Sequence, residues 1–218
     1  MKVLLFSPSL SENIHNKDIE IINIPLFEIK CISYKKDFDD YEAIAFTSKN
    51  AVKCFDDWDK VKNKKIFAIG KPTSELIREK GFNSIYPSEY DSIHLSNLIL
   101  ESGIKSLVAF RSSKASADMK SILSNKIAYM EIYDYKTTII KENVKKAKEE
   151  LKKCNVNIVA LTSSEIARTI ASFLNNCYKI ISIGPMTTKT ISLLRPDLKI
   201  IESNEHDFEG IIRKVLGE

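Results

Sequence analysis

The chain has 218 residues, of which 44% are hydrophobic and 28% charged, and this composition is typical of a globular protein that buries a sizeable core. Its net charge of +4 suits an acidic ligand but is far below the basic excess of a dedicated nucleic-acid-binding protein. The first apolar run, Val3–Phe6, is too short for a signal peptide, and no later run is long enough to span a membrane. We therefore expect a cytoplasmic protein without nucleic-acid or membrane partners.

Strands alternate with helices in the first half of the chain. Val3–Phe6 and Ile19–Ile22 read as strands, and the run from Asn23 to Tyr34 reads as extended because Pro25 disfavours a helix there. Further strands are predicted at Ala43–Phe46, Lys65–Ile69 and Ile85–Tyr86, and helices at Lys49–Asp57, at Pro72–Lys80 and after an N-cap at Asp91 or Ser92.

The second half follows the same alternation. Strands are predicted at Leu107–Phe110, Asn157–Leu161, Lys179–Ile183 and Lys199–Ile201, with an extended run at Ile127–Tyr135. Helices are predicted at Glu142–Lys153, Ser164–Leu174, Pro185–Leu194 and Asp207–Leu216. The lysines of the first of these helices alternate with glutamates, which indicates a solvated face.

The two halves repeat the same turns. Thr162 follows Thr47 by 115 residues, and Gly184 follows Gly70 by 114; each threonine begins a Thr-Ser pair and each glycine a Gly-x-x-Thr turn. Two copies are too few for a solenoid. The repeat therefore predicts an α/β protein with two lobes, each built on a parallel sheet of about five strands.

Candidate binding residues lie in these turns, where the carboxyl ends of parallel strands meet helix N-termini. Ligands of parallel sheets bind at that edge, and unpaired N–H groups there attract anions. The alternative is that the serines and threonines only cap their helices, and that the glycines only allow positive φ. The candidates are Thr47, Ser48, Asn50, Gly70, Lys71, Thr73, Thr162, Ser163, Ser164, Gly184 and Thr187.

Two further candidates come from strand residues. Arg111 ends a strand, and its guanidinium could grip a carboxylate in bidentate fashion, although a surface ion pair is the alternative. Tyr133 and Tyr135 are two apart and so would share one face of a strand, where aromatic residues usually pack. The residues alone leave Tyr135 open between packing and catalysis.

The four cysteines show no metal or redox spacing. Cys31, Cys54, Cys154 and Cys177 are never closer than 23 residues, and the three histidines are scattered, so no zinc site is indicated. We expect reduced, buried thiols. No Gly-x-Gly-x-x-Gly or P-loop pattern is present, so no nucleotide cofactor is supported.

Taken in order, these motifs resemble those of the uroporphyrinogen-III synthase family along nearly the whole chain. The resemblance rests on the turns at Phe46–Val52, Ala68–Thr73, Thr162–Ser163 and Ile183–Thr187, on Phe110–Arg111, and on Tyr135–Thr137. Two departures stand out. Many members have an arginine where this chain has Ser7-Pro8, and glycines where it has Ser112-Ser113.

The resemblance implies a particular domain arrangement. Family members have two flavodoxin-like lobes joined by a two-stranded connector, with the active site in the cleft between them. Mapped onto this chain, lobe one is 1–26 with 137–218, lobe two is 30–134, and the connectors run at about 24–34 and 131–138. A single boundary near residue 104 is what the repeat alone suggests.

The resemblance also implies the chemistry. Such an enzyme cyclises hydroxymethylbilane, a linear tetrapyrrole with an acetate and a propionate on each ring, to uroporphyrinogen III with inversion of ring D and loss of water. It needs no cofactor, and we expect a monomer. Tyr135 matches the family tyrosine that assists departure of the hydroxyl group. The alternative is a non-catalytic two-lobed binding protein for an anionic small molecule, which would use the same turns but would not need Tyr135.

Overall fold

The computed structural model describes residues 1–8, 14–16, 19–35, 37–205 and 208–216. The chain divides into two compact units, Met1–Glu28 with Thr138–Glu218 (unit 1) and Ile29–Thr137 (unit 2). Each unit contains one predominantly parallel sheet with helices, so the predicted α/β class is confirmed. A search of the described ranges finds no helix with the length and apolar character needed to cross a bilayer.

The described strands and helices alternate as predicted along most of the chain. The strands are β1 Lys2–Leu5, β2 Ile14–Asn16, β3 Ile19–Asn23, β4 Phe27–Cys31, β5 Ala43–Phe46, β6 Lys65–Ala68, β7 Ser106–Ser112, β8 Ala128–Ile139, β9 Ile158–Leu161, β10 Lys179–Ser182 and β11 Ile200–Glu202. The helices are α1 Lys49–Cys54, α2 Lys71–Glu79, α3 Ser92–Glu101, α4 Asp118–Leu123, α5 Lys141–Lys153, α6 Ser164–Ile170, α7 Pro185–Leu194 and α8 Phe208–Leu216. Short 3₁₀ helices lie at Trp58–Val61 and Ala171–Phe173.

Unit 1 has a sheet with the order β11-β10-β9-β1-β3-β2, in which only the edge strand β2 runs antiparallel to its neighbour. Without β2, this is the second-first-third-fourth-fifth order of flavodoxin-like folds. Apolar side chains cover both faces: Leu4 and Phe6 pack on one side, and Val3 and Leu5 on the other. Strands buried on both faces explain why β1 and β9 read as continuous apolar runs.

Unit 2 has a sheet with the order β4-β8-β7-β5-β6, and its last four strands repeat the flavodoxin-like order. The side chains on the two faces of β5 differ in size. Ile44 and Phe46 pack into an aromatic-rich cluster, whereas Ala43 and Ala45 lie under α3 and α4. Phe55 contacts Phe46 and Phe110 edge-to-face in that cluster, which gives the unit a rigid core beneath its strand ends.

The unit boundaries fall within strands. The division between residues 28 and 29 lies in β4, and that between 137 and 138 lies in β8. Main-chain hydrogen bonds from Ile32 N to Asp134 O and from Ile140 N to Leu26 O show that the two strands run in opposite directions.

Several predicted elements need correction. Ile85 makes only an isolated bridge to Phe67, not a strand. Helix α1 ends at Cys54, so Trp58 lies in a separate 3₁₀ turn. Helix α4 and strand β2 were not predicted: both are short, and neither has a clear periodic pattern.

The prediction of reduced thiols is wrong. Cys31 is bonded to Cys54, and Cys154 to Cys177, with Cα atoms 5.2 Å and 5.8 Å apart. Each bond links residues 23 positions apart, and no local motif reveals such a pairing. The first ties the end of β4 to the end of α1, and the second ties the end of α5 to the segment before β10.

Candidate active site

The carboxyl ends of three strands of unit 2 meet at one edge. Phe46 of β5 is in register with Ala68 of β6 and with Phe110 of β7. The residues that follow, Thr47, Ile69 and Arg111, therefore lie side by side. This register brings the first Thr-Ser turn, the first glycine turn and the arginine to the edge where parallel sheets bind ligands.

A β-bulge in β8 sets the direction of Tyr135. Arg111 pairs with Tyr133, but the next residue, Ser112, pairs with Tyr135, so Asp134 is an extra residue. Tyr133 is 46% exposed, whereas Tyr135 is 7% exposed and packs in the aromatic cluster. The expectation that both tyrosines share one face is wrong, because the bulge reverses the alternation after Tyr133.

The Tyr135 hydroxyl lies beside the first Thr-Ser turn. Ser48 Oγ accepts a hydrogen bond from Ala51 N at 3.1 Å and donates one to Tyr135 Oη at 2.8 Å. Ser48 is thus the N-cap of α1, as the capping alternative predicted, and also a partner of the phenol. Because Tyr135 Oη accepts from Ser48, its own proton remains available to another acceptor.

Burial is the main influence on the acidity of Tyr135 and raises the pKa of its phenol. Hydrogen bonds from Ser48 and Ser112 favour the ionised form and oppose that rise, whereas the charge of Asp134 adds to it. The phenol therefore stays protonated at neutral pH and can act as an acid.

Arg111 is buried and already holds a carboxylate. Its side chain is 2% exposed, and Nη1 donates to Glu131 Oε1 at 2.6 Å. Glu131 also accepts from the hydroxyls of Tyr129 and Tyr133, both at 2.8 Å. Burial would raise the pKa of Glu131, but these donors outweigh it and hold that pKa below the usual range. The pair is internal, not the surface ion pair considered from the sequence.

The extra residue of the bulge, Asp134, is fully buried, and neither of its carboxyl oxygens has a hydrogen-bond partner. Burial raises the pKa of this carboxyl to about 8. The sequence reasoning missed both Asp134 and Glu131. A charged residue inside an otherwise apolar and aromatic strand was the available signal.

In the turn after β6, a glycine is required because the Tyr90 ring lies against it, and not because the backbone has a positive φ. Gly70 has an extended φ of −178°, so the positive φ considered from the sequence is absent. A methyl group at Gly70 would lie 2.4 Å from Cγ of Tyr90, whose ring covers the turn. Of the neighbouring candidates, Lys71 is exposed, Asn50 is half-buried, and Thr73 is buried.

In unit 1, the matching turns also lie at one edge of the sheet, since Leu161 is in register with Ser182. Ser163 is the N-cap of α6 and accepts from Ile166 N at 3.2 Å, so it caps its helix as Ser48 does. Thr162 and Ser164 are half-buried and Thr187 is buried.

The second glycine turn and the N-terminal turn have simple geometries. Gly184 has φ 169°, which is extended and needs no glycine on that ground. Ser7, which stands where many family members have an arginine, exchanges two 3.0 Å hydrogen bonds between its backbone and the Asn23 side chain. The predicted helix start at Asp207 lies outside the described residues.

Among the described residues, the one group with metal-ligand chemistry is Glu89, Asp91 and His94. Asp91 already caps α3 through Ile93 N and His94 N, as predicted, and holds His94 Nδ1 at 2.7 Å. These bonds account for the cluster without a metal.

Flavodoxin-like sheets with hydroxyl-bearing turns, one of them holding a buried phenol, define an α/β protein suited to a small anionic ligand. The model of the family "Uroporphyrinogen-III synthase HemD" matches residues 8–213. A protein of Archaeoglobus fulgidus, provisionally named uroporphyrinogen-III synthase, is 30% identical over an alignment 227 residues long, which covers 97% of this chain and 96% of that protein. The chain belongs to the uroporphyrinogen-III synthase family.

Solved structures share the fold. Uroporphyrinogen-III synthetase from Helicobacter pylori superposes with a TM-score of 0.66 at 15% identity, covering 99% of this chain and 98% of that one. A mutant uroporphyrinogen III synthase from Thermus thermophilus gives 0.61 at 12% identity, covering 99% and 97%. At such identities the likeness concerns the fold alone.

Proposed function

We propose that this chain is a uroporphyrinogen-III synthase, which cyclises hydroxymethylbilane to uroporphyrinogen III with inversion of ring D and loss of water. The observation that carries the proposal at the level of residues is the hydrogen bond between Ser48 and Tyr135, within a chain that belongs to this family. A non-catalytic binding protein is not favoured, because it would have no use for a phenol held in this way.

The reaction begins with departure of the substrate hydroxyl group, which leaves a reactive azafulvene. Tyr135 donates its proton to that group, and negative charge develops on the phenol oxygen. Ser48 stabilises this charge because its hydroxyl already points at the oxygen and is itself polarised by Ala51 N. Attack on ring D through a spiro intermediate then depends on how the chain holds the substrate.

Substrate binding is assigned to the strand-end turns. The N–H groups at the starts of α2 and α7 and the hydroxyls of Thr47 and Thr162 can hold carboxylates, and no large net charge is required. Arg111 stays in the proposed site, but its contact with Glu131 means that it would act by shaping the edge unless that pair opens.

We further propose that the enzyme is a lyase, that it works without a cofactor, that it acts as a monomer and that it has no nucleic-acid partner. The proposed location is the cytoplasm. The two disulfides weigh against a strongly reducing compartment, where such bonds are rare.

Replacing Tyr135 with Phe tests the function. The ring and its packing remain, so the fold should survive, but kcat should fall by up to ~100-fold with KM nearly unchanged. The assay supplies hydroxymethylbilane and separates the two porphyrin isomers after oxidation.

Tyr133→Phe is the matched control, because it removes a neighbouring phenol that points away from Ser48, and it should keep most of the wild-type kcat. Equal rates for wild type and Tyr135→Phe would remove the tyrosine from the mechanism. A wild type that forms no excess of the inverted isomer would refute the synthase itself.

A further inference from the structure

Asp134 is a buried carboxyl that has no role in the proposed mechanism. Its side chain is 0% exposed, and neither carboxyl oxygen has a hydrogen-bond partner. Buried polar groups in proteins are almost always paired, so an unpaired carboxyl in a packed interior needs an explanation. Its surroundings are aromatic and aliphatic, since the neighbouring β8 residues Ile132 and Tyr135 belong to the cluster of Phe46 and Phe110.

The bulge residue Asp134 is the chain neighbour of the proposed acid, Tyr135. Asp134 is the residue inserted between Tyr133 and Tyr135, and the insertion turns Tyr135 towards the aromatic cluster. Replacing the inserted residue therefore changes the environment of Tyr135 without changing any group that the substrate is proposed to touch.

We propose that Asp134 is a positioning residue that acts through Tyr135: its buried carboxyl is uncharged in the working enzyme, and its ionisation shuts the enzyme down. The reason is the charge that develops on the Tyr135 oxygen as its proton leaves. An uncharged neighbour does not oppose that charge, whereas a buried carboxylate repels it through a medium that screens poorly. This inference rests on the proposed function of Tyr135.

The pKa shifts of Asp134 and Tyr135 are consistent with a carboxyl that is buried and uncharged. Burial raises the pKa of Asp134 to about 8, so the carboxyl is protonated at neutral pH. After burial and the Ser48 hydrogen bond, the Asp134 charge is the next influence on the Tyr135 phenol, and it raises that pKa. Tyr34 packs on the same apolar cluster, and its pKa is also raised by burial, by Asp57 and by Asp134. Arg111, which lowers the pKa of Tyr135, follows Phe110 along β7 and so points to the opposite face of the sheet, where it pairs with Glu131.

The raised pKa of Asp134 makes the stability of the protein depend on pH. A carboxyl whose pKa is raised on folding favours the folded state at low pH and loses that contribution as the pH rises from about 4 towards 8. This contribution to stability is therefore lost between about pH 4 and pH 8, whereas activity falls only above about pH 8, where the folded protein ionises. The assay must run well below the unfolding temperature, so that kcat reports the state of Tyr135 and not the fraction unfolded.

The first experiment compares pH profiles of kcat. In the wild type, kcat should fall about tenfold per pH unit above about pH 8, with little change in KM. In Asp134→Asn, which has nearly the same shape but cannot ionise, that fall should be absent up to at least about pH 9.5. Asp57→Asn is the matched control, because Asp57 acts on Tyr34 and not on Tyr135, and it should keep the wild-type profile. A wild-type fall that persists in Asp134→Asn overturns the proposal.

The second experiment does not need activity. With ¹³C at Cζ of tyrosine, the Tyr135 resonance is the one lost in Tyr135→Phe. It should shift between pH 6 and 9 in the wild type with a midpoint near 8 and should not shift in Asp134→Asn. If Asp134→Asn fails to fold, Asp134→Val provides the same comparison. A Tyr135 resonance that does not shift, or that shifts equally in the variant, overturns the proposal, whereas absence of synthase activity alone refutes only the proposed function.

Discussion

Arg111 is buried and Glu131 is mostly buried, so each stabilises the charge of the other in an environment that contains little water. The two tyrosines that also donate to Glu131 complete its coordination, while Nε of Arg111 remains without a partner. The charges of Arg111 and Glu131 neutralise each other, so the loss of either charge leaves the other without its counter-charge in the interior.

Glu131→Gln should therefore destabilise the protein by about 3 kcal/mol, because the buried guanidinium loses its counter-charge. Denaturant unfolding at pH 7 measures the loss. Glu150→Gln is the control: it removes the exposed ion pair with Lys153 and should cost less than about 1 kcal/mol. Equal stability of the two variants would mean that the Arg111 pair is effectively solvated.

Gly70 and Tyr90 form a second residue-scale contact. Because a methyl group at Gly70 would overlap the Tyr90 ring, Gly70→Ala should lose about 1 kcal/mol of stability by forcing the ring aside. Tyr90→Ala should remove this penalty, so a double-mutant cycle should show coupling between the two positions. Additive effects would show that the Tyr90 ring, which is 52% exposed, moves away from the turn without a cost in stability.

At the scale of elements, the sequence was most informative where burial imposes a simple pattern. Ala43–Phe46 and Pro185–Leu194 were predicted with their observed bounds, because a strand covered on both faces is wholly apolar and because a proline suits the first turn of a helix. The bulge at Asp134 could not be predicted, since it depends on how β8 pairs with β7. The Ser48 contact with Tyr135 joins residues 87 apart and follows only from that pairing.

The disulfides link elements whose proximity is likewise a product of folding. Each closes a loop of similar length, so Cys31→Ser and Cys154→Ser should each lower the free energy of unfolding by about 3 kcal/mol under oxidising conditions. In excess dithiothreitol, wild type and variants should unfold at the same denaturant concentration, which is the internal control. A wild type whose stability does not respond to reductant would show that the thiols are unpaired in solution.

At the scale of the whole molecule, the internal repeat corresponds to two sheets with the same flavodoxin-like strand order. The proposed catalytic contacts all belong to unit 2: Tyr135, Ser48, Arg111, Glu131 and Asp134 lie between residues 29 and 137. Unit 2 is continuous in sequence and has its own sheet, two apolar clusters and one disulfide. Its size is in the range of independently folding domains.

Residues 29–137, expressed alone and oxidised, should therefore fold with a single cooperative unfolding transition and dispersed NMR signals. The Tyr135 Cζ resonance should respond to pH between 6 and 9 as it does in the full chain, because the bulge, Ser48 and Asp134 are all present. Cyclisation should be lost, since the fragment lacks the proposed ligands Thr162, Ser163 and Thr187. A fragment that shows no unfolding transition would mean that the unit needs the rest of the chain to fold, and a fragment that still forms the inverted isomer would restrict the substrate site to unit 2.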